Sequence, residues 1–156
     1  MLYFLIVFGI VIFDQITKIM VRSSFSLYES REIISGVFHL TYIENPGAAF
    51  GIMADQRLFF LVTTVAVIAL LLYFMKTLED QEPRANLFLA MVIGGAVGNF
   101  IDRVQKGSVT DFFDFIIWPV FNIADMFIVV GMLTAAFYII KTEIKQDRSE
   151  ADNYDN

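Results

Sequence analysis

The chain of 156 residues has no cysteine, one histidine, one tryptophan and three prolines. Without cysteine there is no disulfide, no thiolate nucleophile and no thiolate metal site, and a single histidine is one short of the HExxH metallopeptidase motif. Positive charge is also scarce. Lys and Arg number 11 against 17 Asp and Glu, a net charge of -6 with a pI near 4.6, so there is no basic footprint for nucleic-acid phosphates and no nucleic-acid partner is expected. Hydrophobic residues, by contrast, make up 57% of the chain with a mean hydropathy of +0.64, above the roughly 45–50% of ordinary soluble domains. Disorder is excluded by the same figures, and a membrane protein is implied. At about 20 residues per span, four spans take up about half of the chain and leave room for one compact domain.

The apolar stretches fall at about 2–21, 58–75, 85–101 and 121–140. The first is interrupted only by Asp14, Gln15, Thr17 and Lys18 near its end. No basic residue precedes it and no small-residue cleavage site follows Phe13, so it reads as a retained helix rather than a removed signal peptide. The second has no charged residue and runs into the polar loop TLEDQEPR, where Pro83 suits a helix start. The third holds Gly94 and Gly98 four apart on one helical face, open to close approach by a neighbouring backbone. The fourth carries Asn122 and Asp125 in its first two turns and nothing ionisable until Lys141. Residues 141–156 are charged, with an end expected to be disordered. Between the first two spans, residues 23–57 have a different texture: Val37, Phe38, Leu40, Tyr42 and Ile43, bounded by Gly36 and Pro46–Gly47, read as a small sheet or hairpin outside the bilayer. The fold expected is therefore an all-α membrane protein of four transmembrane helices with a small β element between helices one and two, residues 1–140 forming one domain.

Ionisable groups inside spans cost about 2.5–3.5 kcal/mol each on insertion scales, so Asp14, Lys18 and Asp125 need a reason. Four antiparallel spans put the end of the first helix, the loop after it, the end of the third helix and the start of the fourth on one side of the bilayer. Asp14, Lys18, Asn45, Asn99, Asp102, Arg103, Asp111, Asn122 and Asp125 all come from those places. Asp14 with Lys18, Asn99 with Asp102 and Arg103, and Asn122 with Asp125 are each spaced to share a helix face. Each has a plainer explanation: an intrahelical ion pair for Asp14 and Lys18, interhelical glue for the two asparagines, an interfacial anchor for Arg103. One polar site accounts for all of them together.

The chemistry such a site suits is that of paired carboxylates. Two brought close together do not ionise independently; one keeps a proton, so one can activate water while the other hydrogen-bonds to a scissile carbonyl. Asp111 and Asp125 are joined by enough chain to meet, but spacing leaves Asp102 and Asp114 equally available. A cation-coupled transporter would spread its polar groups across the membrane or show a duplicated half, and neither pattern is visible. A serine–lysine peptidase using Lys18 with Ser23 or Ser24 would need a lysine pKa lowered by burial, which Asp14 one turn away opposes. A purely structural four-helix protein is the remaining alternative.

Five motifs in order, FDQITK at 13–18, ENPGAAFGI at 44–52, GNFIDR at 98–103, GSVTDFFDF at 107–115 and FNIADMFI at 121–128, closely resemble those of the lipoprotein signal peptidases, the signal peptidase II family of bacterial intramembrane aspartic peptidases. The resemblance implies that Asp111 and Asp125 are the catalytic pair, that Asp14, Lys18, Asn45, Gly47, Asn99, Asp102, Arg103, Asn122 and Ala124 shape or support the site, and that Asp114 is a bystander. It further implies a substrate, the signal peptide of a prolipoprotein cut just before a diacylglyceryl-modified cysteine, with no metal or organic cofactor and with membrane lipid and the lipid-modified precursor as partners of a monomer. The 23–57 segment would cradle substrate and the loop before helix four would form a lid-like element. Thr110, where an aliphatic residue is more usual, and Pro46 are minor departures. Charge bias leaves orientation open: Arg22, Arg31, Arg57, Arg103 and Lys106 on the site side balance Lys76, Arg84, Lys141, Lys145 and Arg148 on the other. Setting Arg103 aside as a site residue tips the balance toward cytoplasmic termini in the bacterial inner membrane, and the resemblance implies the same, with the site near the extracytoplasmic face.

Overall fold

The computed structural model describes residues 1–47, 56–78 and 83–154. In chain order the elements are α1 (Leu2–Ser24), β1 (Ser30–Ile34), β2 (Phe38–Asn45), α2 (Arg57–Leu78), α3 (Pro83–Lys106), β3 (Val109–Asp114) and α4 (Ile123–Tyr154). All four helices contain stretches long and apolar enough to cross a membrane, Leu2–Ser24, Arg57–Thr77, Arg84–Lys106 and Ile123–Thr142. Each expected span is present; the first three extend a few residues beyond their sequence limits and the fourth is displaced by two residues. Residues 48–52 of the second motif lie outside the described residues.

Helix α3 is the centre of the bundle, packed against α1, α2 and α4. Its small residues make this possible. A Cβ on Gly94 would come within 2.9 Å of the Ile10 side chain, one on Gly98 within 2.6 Å of the Asp14 carboxylate, and one on Gly95 would run into the Ala124 carbonyl oxygen. Two faces of α3 are thus cut away, one to admit α1 and the other α4, as expected where helices associate in lipid through close backbone approach. Helix α2 is peripheral; none of its span is buried, and it rests on α3.

The β element is larger than the sequence indicated. Beside the antiparallel hairpin of β1 and β2, turned at Gly36 with φ +66°, a third strand from the loop before α4 pairs antiparallel with β2 to give the order β1-β2-β3. Leu40 pairs with Phe113 and Ile43 with Asp111, so β2 advances from 40 to 43 while β3 moves from 113 to 111, leaving one bulged residue in β2. Past the bulge, Ile43, Asn45, Val109 and Asp111 share one face, and Glu44 and Thr110, themselves a register pair, share the other. The loop's aromatic and punctuated composition concealed this strand.

The end of the chain also differs from expectation. Helix α4 continues to Tyr154, so the charged stretch from Lys141, expected to be disordered only at its end, extends the helix through nearly all of its length. Its residues are mostly strong helix formers without proline or glycine, which is enough to propagate a helix already nucleated in the membrane.

The packing predicts opposite outcomes for two glycines. Gly95→Ala pushes a methyl against the Ala124 backbone, which cannot move aside, and is expected to lower stability by about 1–3 kcal/mol. Gly9→Ala, where a Cβ meets nothing within 4 Å, should be neutral or stabilising by up to about 1 kcal/mol. Thermal unfolding of the purified variants in detergent distinguishes them.

Candidate active site

The polar residues meet around a lysine. Lys18, on α1, is fully buried, and its ammonium contacts Asp14 Oδ2 at 2.9 Å, Asp102 Oδ2 at 3.1 Å and Asn99 Oδ1 at 2.9 Å. Asp14 and Asp102 are equally inaccessible, with 0% exposure. The i,i+4 ion pair read from sequence therefore exists, but it is part of a cluster rather than self-contained. Asp14 Oδ1 accepts the backbone N–H of Ala124 at 3.0 Å, tying α1 to the first turn of α4. Asp102 Oδ2 accepts the N–H of Thr110 at 3.1 Å, tying α3 to β3. Gln15, whose role sequence reasoning missed, donates to Asp14 Oδ2 and to the Gly98 carbonyl, both at 3.1 Å; a polar residue beside Asp14 in an apolar run was the available signal.

From this base the geometry reaches two carboxylates. Asn99 Oδ1 accepts from Lys18 and, at 3.1 Å, from Asn122 Nδ2, while Asn99 Nδ2 donates to Asp125 Oδ1 at 2.7 Å. Asn122 caps α4: its Oδ1 accepts the N–H of Asp125 at 3.0 Å, while Asp125 Oδ2 accepts the N–H of Asn122 at 3.2 Å. That reciprocal arrangement is a capping box, so the FNIAD sequence both starts the helix and fixes Asp125. The same Asn122 amide donates to Asp111 Oδ1 at 2.6 Å. Asn45 Nδ2 donates to Asp111 Oδ2 at 3.0 Å, with its Oδ1 held by the N–H of Gly47 at 3.0 Å in a local turn.

Asp111 and Asp125 line one cleft of about 380 Å³ together with Asn45, Gly47, Asn99 and Arg103. Trp118, Pro119, Val120, Ile128 and Val129 give it an apolar wall. Burial, and then the negative charge of Asp125, push the Asp111 carboxyl up to about 7, against the hydrogen bonds of Asn45 and Asn122 and the charge of Lys18. Arg103 does not snorkel away; its Nη2 donates to the Gly47 carbonyl at 3.2 Å and the guanidinium lies 4.7 Å from the centre of the Phe60 ring.

The remaining candidates are equally placed. Ala124 is fully buried where α3 comes closest to α4. Asp114 lies outside the cleft, accepting from Thr41 Oγ1 at 2.7 Å and from the Ile116 N–H at 2.8 Å. Ser23 Oγ donates to the Met20 carbonyl at an exposed position, while Lys18 is occupied in the interior, so the serine–lysine arrangement has no geometric support. On the face of the sheet away from the cleft, Glu44 accepts from Lys106 at 2.7 Å, Ser108 at 2.6 Å, Tyr42 at 2.8 Å and Thr110 at 3.0 Å. Burial acts to raise the Glu44 carboxyl, but these hydrogen bonds outweigh it and hold the group below its ordinary value. Thr110 also receives Arg22 at 3.0 Å, which accounts for a hydroxyl at this position.

The family model for signal peptidase (SPase) II matches residues 6–141. The chain belongs to the signal peptidase II family. Among its relatives, the lipoprotein signal peptidase of Moorella thermoacetica is 44% identical over 135 residues, covering 86% of this chain and 90% of that protein. The lipoprotein signal peptidase of Clostridioides difficile is 42% identical over 147 residues, covering 93% and 99%. A solved bacterial membrane enzyme, determined by the in meso method at 2.3 Å resolution, superposes with a TM-score of 0.81 at 34% identity over 89% of this chain and 87% of its own. As a member of the signal peptidase II family the chain is a protease, and its four membrane-crossing helices make it a multi-pass membrane protein.

The buried cluster makes Lys18→Met the most damaging single change here. It leaves Asp14 and Asp102 without their shared cation in a site closed to water, an expected loss of about 3–5 kcal/mol. A large fall in the thermal midpoint in detergent is the readout.

Proposed function

We propose that this protein removes the signal peptides of lipid-modified prolipoproteins, with Asp111 and Asp125 as the catalytic pair. The observation that carries the reading is that the two carboxylates, from separate elements, line one cleft and both accept hydrogen bonds from Asn122, Asp111 from its side-chain amide and Asp125 from its backbone N–H. Family membership and the printed activity of the relatives, lipoprotein signal peptidase, support the substrate class.

In this mechanism the pair holds one proton between two acids. The ionised member accepts a proton from a water molecule as its oxygen attacks the scissile carbonyl carbon. The protonated member hydrogen-bonds to the carbonyl oxygen, and as the tetrahedral species collapses the carboxyl that took the proton from water gives it to the leaving amine, which returns the pair to its singly protonated state. Asn45, Asn99 and Asn122 orient the carboxylates, and Arg103 lies on the rim of the cleft with donors suited to substrate carbonyls. The apolar wall of Trp118, Val120, Ile128 and Val129 suits a residue carrying acyl chains, held at the bilayer surface by those chains, so that the bond cut is the one before the lipidated cysteine. Both termini are assigned to the cytoplasm and the cleft to the extracytoplasmic side of the bacterial cytoplasmic membrane. An even number of spans supports termini on one side, and a precursor whose lipidated cysteine lies at the outer surface supports that side for the cleft.

Cleavage of a purified, diacylglyceryl-modified precursor tests the reading. Asp111→Asn and Asp125→Asn should each reduce turnover by about 10²–10⁴-fold or more while the protein stays folded. Ser23→Ala and Ser24→Ala should be silent. Turnover surviving either aspartate change removes that residue from the pair.

The pH dependence follows from Asp111. A carboxyl raised to about 7 keeps its proton below that value and loses it above, so the singly protonated pair is depleted as pH rises past about 7. A rate profile in detergent should fall on its alkaline side there. A rate still rising at higher pH would contradict the shared-proton mechanism.

A further inference from the structure

Helix α2 adds nothing to the buried interior, yet its N-terminal end reaches Arg103 on the rim of the cleft. Arg57 Nη2 donates to the Val104 carbonyl at 2.5 Å, docking this end beside Arg103, and Phe60 sits one turn further along. Arg103 feels the charges of Asp125, Asp111 and Asp102, but among the described residues it forms no ion pair within 4.0 Å of any carboxylate. Instead it is restrained by the Gly47 carbonyl and by the face of the Phe60 ring. We propose that Phe60 is a positioning residue, whose ring holds the Arg103 guanidinium at the rim of the cleft and keeps it from closing onto the two aspartates.

The physical need is clear from the surroundings of Asp111. Facing it are Asp125 from α4, the neutral amides Asn45 from β2 and Asn122 from the start of α4, and the charge of Lys18 from α1. Arg103 and Asp102 stand on α3, Glu44 is turned to the opposite face of the sheet, and Arg57 is committed to Val104. Arg103 is therefore the one movable cation on this rim among the described residues. In a partly dry site, opposite charges a few ångströms apart attract strongly, and a guanidinium paired with the aspartates favours ionisation of both. That state lacks the proton the pair needs, and it uses up the donors that would meet a substrate carbonyl. An aromatic face offers the guanidinium a competing position without adding negative charge.

The consequence for turnover rests on the aspartic-peptidase reading, but the effect on titration does not. The test follows the ¹³C carboxyl resonance of Asp111 against pH in the full-length, aspartate-labelled protein in detergent, with Asp111→Asn identifying the signal. Phe60→Leu should move the Asp111 midpoint down by about one pH unit, a tenfold change. Phe60→Met is the second non-aromatic variant should Phe60→Leu fail to fold, and Phe60→Tyr, which keeps the ring, should leave the midpoint in place. In an Arg103→Gln background Phe60→Leu should have no effect. An unshifted midpoint in folded Phe60→Leu, or an equal shift without Arg103, overturns the proposal. In parallel, the alkaline limb of precursor cleavage should move with the midpoint, with kcat falling more than KM changes. If the wild-type protein cleaves no lipid-modified precursor while the midpoint still shifts, the peptidase reading fails and the positioning role of Phe60 stands.

Discussion

The arrangement depends on one buried ammonium. Each of the three donors of Lys18 has a partner: Asp14 on its own helix, and Asp102 and Asn99 on α3. Each of those partners passes the constraint on, Asp14 to the first turn of α4, Asp102 to β3, and Asn99 to Asp125. Three helices and a strand are thereby indexed to a single atom. Apolar helices in lipid have little to stop them rotating or sliding past one another, because lipid tails solvate Leu and Val as well as a neighbouring helix does. A buried charge that is satisfied in one register only removes that freedom. Its desolvation cost means that it adds little to stability in itself; it defines the register in which the carboxylates meet.

Above this base the groups touching the two aspartates are mainly neutral. Asn45, Asn99 and Asn122 supply hydrogen-bond donors without adding charge, so they stabilise one negative charge without inviting a second. The cations are held back, Lys18 behind Asn99 and Arg103 at the rim. Under the mechanism proposed, this division matches a pair that has to hold a proton and lose it again within each cycle.

Much of this was legible in the sequence because it is local. Helical spacing put Asp14 with Lys18 and Asn122 with Asp125, and both pairs are in contact. Gly94 and Gly98 indicated a close helix approach, and α1 makes it. What stayed hidden depends on distant chain segments meeting. The strand carrying Asp111 forms only because β2 offers an edge, so a loop rich in phenylalanine and ended by proline gave no period to read. The role of Phe60 needed the position of a helix with no polar mark of its own, and Glu44 became recognisable as a hub only once Lys106, Ser108 and Thr110 were gathered around it.

The bulge in β2 has a chemical meaning beyond local twist. Had pairing continued evenly from Leu40 opposite Phe113, Tyr42 would have fallen opposite Asp111, and Glu44 would occupy the diagonal place now held by Asn45. An acid would then face an acid, adding a third carboxylate beside Asp111 and removing the Asn45 amide that now donates to it. A single surplus backbone unit thus sorts two adjacent side chains of similar size, sending the carboxylate outward to Lys106 and the carboxamide inward to Asp111.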